Sequence, residues 1–188
     1  VGTGKSILLR RLEVALKSLR RNPRYIPYSE LSVAALLDWA DGDGGLGRPR
    51  AAASVLLLDD AERCSSELLS GLQDLVANRR DRAQGPQVVL VGGTSLWPRI
   101  LPELPRLAER VETRVATSPF STDEINNYVR HRLAVSGRSA DLFSPEAIAA
   151  IADYSRGIPR LVNQVCSRAL LLADIEHAST ISQLTITE

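Results

Sequence analysis

Methionine is absent from all 188 residues, position 1 included. A chain without an initiator is expected to be a piece of a longer protein whose natural N-terminus lies upstream. Cysteine is almost as scarce. Cys64 and Cys166 are the only two, and they stand far apart without metal-ligand spacing. That excludes a disulfide framework or a cysteine zinc site and fits a reduced, cytoplasmic protein. The two histidines, His131 and His177, have neither Cys nor carboxylate partners at ligand spacing and read as surface residues. No apolar run approaches the ~20 residues of a membrane span, and no signal peptide is visible. An upstream segment could carry either one. An excess of charge is missing too: the net charge is +1, so nothing global draws the chain to nucleic acid or to an anionic membrane. The pairs Arg10-Arg11, Arg20-Arg21 and Arg79-Arg80 read first as solvated helix ends and faces, and second as phosphate contacts.

What is present begins at the first residue. Val1-Gly2-Thr3-Gly4-Lys5-Ser6 is the second half of the phosphate-binding loop G-x-x-x-x-G-K-[ST]. Gly4, Lys5 and Ser6 hold its last three fixed positions, and its opening glycine would precede Val1. A triphosphate crowds charge against backbone, so glycines are needed where the main chain must approach it and aim N–H groups at oxygens. Lys5 would reach the β- and γ-phosphates, and the Ser6 hydroxyl would ligate Mg²⁺. Residues 7–16 have helical spacing, with Leu8, Leu9, Leu12 and Leu16 as one expected stripe. The phosphates would then sit at a helix N-terminus, which favours anions. Gly2, Thr3, Gly4, Lys5, Ser6 and Ile7 form the candidate nucleotide-binding set of this loop. The competing possibility is a glycine-rich turn that merely starts a helix.

Downstream the periods alternate. Residues 24–28 read as a short strand and residues 31–39 as a helix, followed by a Gly-rich loop over residues 41–50. The run Ala53-Ser54-Val55-Leu56-Leu57-Leu58-Asp59-Asp60 reads as a parallel strand buried on both faces and ending in two carboxylates. An amphipathic helix is expected over 65–78, a second buried strand over 87–93, Pro-broken helical pieces over 96–109, and a last strand over 111–116. From Ser121 the pattern is helical, with helices expected over 122–136, 144–155 and 159–173. Ser121-Thr122-Asp123-Glu124 and Ser144-Pro145-Glu146 supply N-terminal caps. Strand–helix alternation followed by an all-helical tail predicts two lobes, residues 1–119 and 120–188. The fold class expected is α/β: a P-loop core with a parallel sheet, followed by a small all-helical lid.

Asp59 is the candidate to hold the Mg²⁺ hydration shell with Ser6, since a carboxylate just past a buried strand suits that task. Asp60 is the candidate to polarise the attacking water, and Glu62 is the less favoured substitute. Asp60 is one methylene shorter than the Glu that many such ATPases carry, and a displacement near 1 Å costs on the order of 100-fold in rate. Slow turnover, or use mainly as a nucleotide switch, is therefore an open outcome. In Ser155-Arg156-Gly157-Ile158-Pro159-Arg160-Leu161-Val162-Asn163, Gly157 ends one helix and Pro159 starts the next. Arg160 in that first turn gains nothing from the helix dipole. It is either an ordinary surface Arg or one that faces a phosphate.

Taken in order, the phosphate loop, L-L-L-D-D, V-V-L-V-G and S-x-G-I-P-R-L-x-N resemble AAA+ ATPases. They resemble more closely the ExeA-like group, the ATPases of the general secretion pathway protein A type. The likeness covers nearly the whole chain, and residues 120–133 are similar to that family's link into its helical lid. The resemblance implies Mg²⁺-dependent ATP hydrolysis and a ring-type homo-oligomer that remodels or gates a partner, in an envelope secretion or export assembly. It implies that Arg160 contacts the γ-phosphate within its own subunit. Arg110, with Arg114 as second choice, would be the finger that reaches a neighbour's nucleotide. It implies a polar sensor after residues 88–91, for which Thr94 is the candidate. Two other outcomes are open. One is a nucleotide-gated DNA-binding ATPase of the transposition type, with Arg20, Arg21, Arg79 and Arg80 on phosphates. The other is a nucleotide-binding scaffold with little turnover.

Overall fold

The computed structural model describes residues 2–30, 32–34, 36, 54–77 and 87–187. The chain forms two compact units, one of residues 5–115 and one of residues 1–4 with 116–188.

The first unit is built on a three-stranded parallel sheet, β1 (Asn22–Pro27), β2 (Ser54–Asp59) and β3 (Gln87–Leu90), in the order β1-β2-β3. Tyr25 lies opposite Leu57, and Leu57 lies opposite Val89. The central strand explains its own composition. Leu56, Leu57 and Leu58 are 0% exposed, because both faces of β2 are covered. Leu56 and Leu58 join the larger core with Leu68, Leu69 and Leu72 of α2 (Ser66–Ala77) and with Ile100 of α3 (Leu96–Glu103). Leu57 and Val55 face the other way, onto Leu9 of α1 (Lys5–Ser18). Burying each such Leu side chain stabilises the fold by about 1.5–3 kcal/mol. Proline ends α3 early, and the short α4 (Pro105–Ala108) follows with Pro105 in its first turn.

Two expectations are corrected here. The stripe on α1 is narrower than its leucines suggest. Leu9 is 2% exposed, whereas Leu8 is 57% and Leu12 37% exposed. Leu9 and Leu16, seven residues apart and so on one line of the helix, make the contact with the sheet. Residues 111–116 form no strand. Val115 is 83% exposed and Val111 38%; a β-prone sequence becomes a strand only when it finds an edge and a surface to pack on, and this one has found neither. The predicted helix over 31–39 is described only in part, with helical backbone at Val33, Ala34 and Leu36. The Gly-rich loop over 41–50 and Arg79-Arg80 lie outside the described residues.

The second unit is helical: α5 (Thr122–Val135), α6 (Pro145–Ser155), α7 (Pro159–Ile175) and a short α8 (Gln183–Thr187). The caps are formed as their sequences require. Glu124 N–H donates to Ser121 Oγ at 3.2 Å while Ser121 N–H donates to Glu124 Oε2 at 2.8 Å, a reciprocal capping box. Ala147 N–H donates to Ser144 Oγ at 3.2 Å, with Pro145 opening the helix. Ile125, Val129, Ile151, Val162 and Ala169 close the core. The sequence pattern missed α8. It is anchored by Ile181, which exchanges backbone hydrogen bonds with Leu142 and Ser144 at 2.8 and 2.9 Å.

Candidate nucleotide site

In the first unit the candidate residues gather at one edge of the sheet, for reasons of length. A helix of 14 residues spans roughly 21 Å. A strand of six spans roughly 20 Å. The chain leaves α1 at Ser18 and enters β1 at Asn22, at the amino edge of the sheet. With α1 packed along the sheet, Lys5 and Ser6 at its opposite end come to the carboxyl edge, where β2 delivers Asp59. In open parallel sheets that edge is where ligands bind.

Asp59 is 4% exposed, a degree of burial unusual for a carboxylate without partners, and it is held. Tyr25 OH donates to its Oδ2 at 2.9 Å, and Asp60 N–H donates to its Oδ1 at 3.0 Å. The Arg10 guanidinium lies 3.4 Å from the centroid of the Tyr25 ring. Burial, and then the Asp59 carboxylate it serves, raise the Tyr25 hydroxyl above the ordinary phenol range, so it stays a donor at neutral pH. A carboxylate offers about four lone-pair sites, so Asp59 keeps acceptor capacity for metal-bound water. Among the described residues no three His, Cys, Asp or Glu side chains converge on one point. A hard cation that keeps most of its water and takes ligand oxygens, as Mg²⁺ does, suits one carboxylate and one hydroxyl.

Asp60 takes a left-handed backbone, φ 52°, at the head of a 3₁₀ turn, Ala61–Arg63. Such a conformation costs a non-glycine residue stability and persists because the turn is fastened on both sides. Ala61 N–H donates to Val91 O at 2.9 Å. Arg99 Nη1 donates to Glu62 O at 3.1 Å and to Cys64 O at 2.7 Å, and its Nη2 donates to Ser66 Oγ at 2.9 Å. The Glu62 carboxylate lies against Gly92 and Gly93, which follow β3. Thr94 is exposed in the turn before α3. Arg110 is half-buried just after α4, and Arg114 stacks 4.9 Å from the Trp97 ring centroid. The structure therefore carries Asp59, Asp60 and Glu62 on the end of β2 and the turn after it, with the Glu62 carboxylate against Gly92 and Gly93, and leaves Arg110 and Arg114 on the segment past α4.

The remaining candidates belong to the second unit. Gly2 and Gly4 both have positive φ, 91° and 83°. A Cβ on Gly4 would meet nothing within 4 Å, whereas one on Gly2 would lie 2.9 Å from Arg160 Cβ. Gly4 thus leaves its backbone open, and Gly2 is glycine because the Arg160 segment packs on it. Arg160 N–H donates to Gly2 O at 3.2 Å, and Thr117 Oγ1 donates to Thr3 Oγ1 at 3.1 Å. Arg160 is exposed in the first turn of α7. Gly157, φ 74°, holds that turn against Phe120, whose N–H donates to Gly157 O at 2.8 Å. Ile7, which belongs to the first unit, is 68% exposed. Sequence reasoning did not find Tyr25 or Arg99. Neither carries a motif, and only the strand register puts Tyr25 beside Asp59.

Known proteins agree with this architecture. The chain superposes on RuvB of Thermotoga maritima, a Holliday junction branch migration motor, with a TM-score of 0.72 at 16% identity, covering 99% of this chain and 57% of that one. It superposes on Cdc6p of Pyrobaculum aerophilum with a TM-score of 0.66 at 21% identity, covering 96% of this chain and 55% of that one. The fold is that of the AAA+ P-loop ATPases. Within that fold, the chain is 37% identical to general secretion pathway protein A of Aeromonas hydrophila over 121 residues, 64% of this chain. It spans about a fifth of that relative, 22%. No family model matches the chain. No helix among the described residues is long and apolar enough to cross a membrane.

Proposed function

We propose that the chain is the nucleotide-binding part of an AAA+ ATPase that hydrolyses Mg²⁺·ATP to drive or gate a partner complex. The observation that supports this most is the buried, oriented Asp59 at the carboxyl edge of a parallel sheet against which α1, opening with Lys5 and Ser6, is packed. Lys5 and the backbone of Gly2, Thr3, Gly4, Ser6 and Ile7 hold the phosphates, and Ser6 and Asp59 hold the metal. Mg²⁺, when bound, neutralises charge on the phosphate oxygens. Asp60 orients the attacking water, and Thr94 is the candidate polar sensor past β3. Arg160 contacts the γ-phosphate. Arg110 serves a neighbouring copy, so activity requires a homo-oligomer; a finger supplied in trans is worth about 10³–10⁵ in rate.

The sequence likeness to general secretion pathway protein A supports a cytoplasmic role in an envelope secretion or export assembly. A second possibility, ATP-dependent DNA binding, is supported by the likeness to another solved structure, Drosophila ORC bound to DNA, which matches with a TM-score of 0.65 at 20% identity. Steep salt dependence of ATP-stimulated DNA binding would favour it. The decisive test of the shared core is Lys5→Ala. Titration calorimetry with Mg²⁺·ATP should show loss of affinity of at least about tenfold; unchanged affinity would sink the nucleotide assignment.

A further inference from the structure

Among the described residues, one buried carboxylate oxygen just past β2 has no partner. Glu62 Oε2 is sealed from solvent and accepts no hydrogen bond from any described residue. A buried acceptor left unpaired destabilises a fold, and native proteins keep few of them. Its position is not an accident of a loose side chain, because the turn that carries it is fixed by Arg99 and by the bond from Ala61 to Val91.

The neighbouring strand is cut away to receive it. A Cβ on Gly92 would stand 2.7 Å from Glu62 Oε2, and one on Gly93 would stand 3.0 Å from Oε1. The two glycines past β3 thus leave a space that the Glu62 carboxylate fills from the adjacent turn. That space follows β3 just as Asp59 and Asp60 follow β2, the strand paired with it, at the edge assigned to the phosphates. An acceptor there, dry and unpaired, has the chemistry to take a hydrogen bond from one water molecule.

We propose that Glu62 acts beside Asp60 on the water that attacks the terminal phosphate, supplying the reach that the short Asp60 lacks. This rests on the ATP-hydrolysis assignment above. The water oxygen forms a bond to the γ-phosphorus as the bond to the β,γ-bridging oxygen breaks. ADP leaves with that electron pair, and the water proton passes to Glu62.

The test is equilibrium binding of Mg²⁺·ADP by the full chain, with and without aluminium fluoride, which mimics the transferring phosphoryl group and holds the in-line water. The wild type should bind ADP more tightly when aluminium fluoride is present. Glu62→Ala should lower that preference by about tenfold or more, as expected for one hydrogen bond to a charged group, with the affinity for ADP alone unchanged. Glu62→Gln, which keeps the shape and one acceptor oxygen, should retain part of the preference, and it carries the test if the Ala variant fails to fold. The proposal is overturned if the wild type binds ADP without any preference. It is equally overturned if the variants keep the full preference, or if they lose ADP affinity in parallel. Failure of the wild type to bind ADP at all overturns the nucleotide assignment itself.

Discussion

Gly157 and Gly137 form a matched pair in which backbone strain and packing separate. Both have positive φ, 74° and 73°. Alanine in that region costs about 1–2 kcal/mol, partly offset because alanine also restricts the unfolded chain. The pair differs in surroundings. A Cβ on Gly137 would meet nothing within 4 Å. One on Gly157 would overlap Phe120 O, and it would lie 2.8 Å from Phe120 N and 2.9 Å from Pro119 Cβ. Relieving that overlap means moving backbone, which adds about 1–3 kcal/mol. Loss of the 2.8 Å bond from Phe120 N–H to Gly157 O adds about 1 kcal/mol. Gly137→Ala should therefore destabilise by about 1 kcal/mol and Gly157→Ala by about 3–5 kcal/mol. Urea unfolding of both variants, followed by helical circular dichroism, measures the difference. Equal midpoints would refute the reasoning, because strain alone would then account for both positions.

Two further outcomes follow from the side-chain chemistry. Tyr25→Phe strands a buried Asp59 oxygen and should cost about 1 kcal/mol in unfolding measurements. It should also raise the Mg²⁺ concentration needed for nucleotide binding about tenfold while leaving metal-free affinity unchanged; no change in the Mg²⁺ requirement would mean that Tyr25 does not orient Asp59. Burial pushes the Cys166 thiol up to about 11, which leaves on the order of 100-fold less thiolate at pH 8 than an ordinary thiol has. A raised value means that the stabilising neutral form is full below the ordinary thiol range and is lost as pH climbs towards 11. Iodoacetamide should accordingly label Cys166 slowly at pH 8 in the folded chain and at an ordinary rate in urea. Fast labelling of the folded protein would contradict the burial.

Elements whose own residues dictate their surroundings were legible from sequence. The run from Val55 to Leu58 could only be a strand covered on both faces, and Ser121 with Glu124, or Ser144 with Pro145, could hardly do other than start helices. Contacts that depend on strand register were not legible. Nothing in the segment around Tyr25 indicates that its hydroxyl reaches Asp59, 34 positions on. The stripe on α1 misled because leucine spacing fixes a helix but not which line of it meets the sheet. Residues 111–116 misled because β propensity says nothing about whether an edge is available. At the site, the phosphate loop and the two Asp residues were plain. Glu62 was visible only as a weaker substitute, since its isolation and the glycine gap that holds it are properties of packing.

Arg99 has a mechanical consequence. Its guanidinium binds two carbonyls and a hydroxyl around the turn that bears Asp60 and Glu62, while its Nε pairs with Glu103 on its own helix at 3.3 Å. One side chain thus fastens the turn to α3, and the chain runs on from α3 through α4 to Arg110, so the carboxylate-bearing turn and the segment that carries Arg110 share a single anchor.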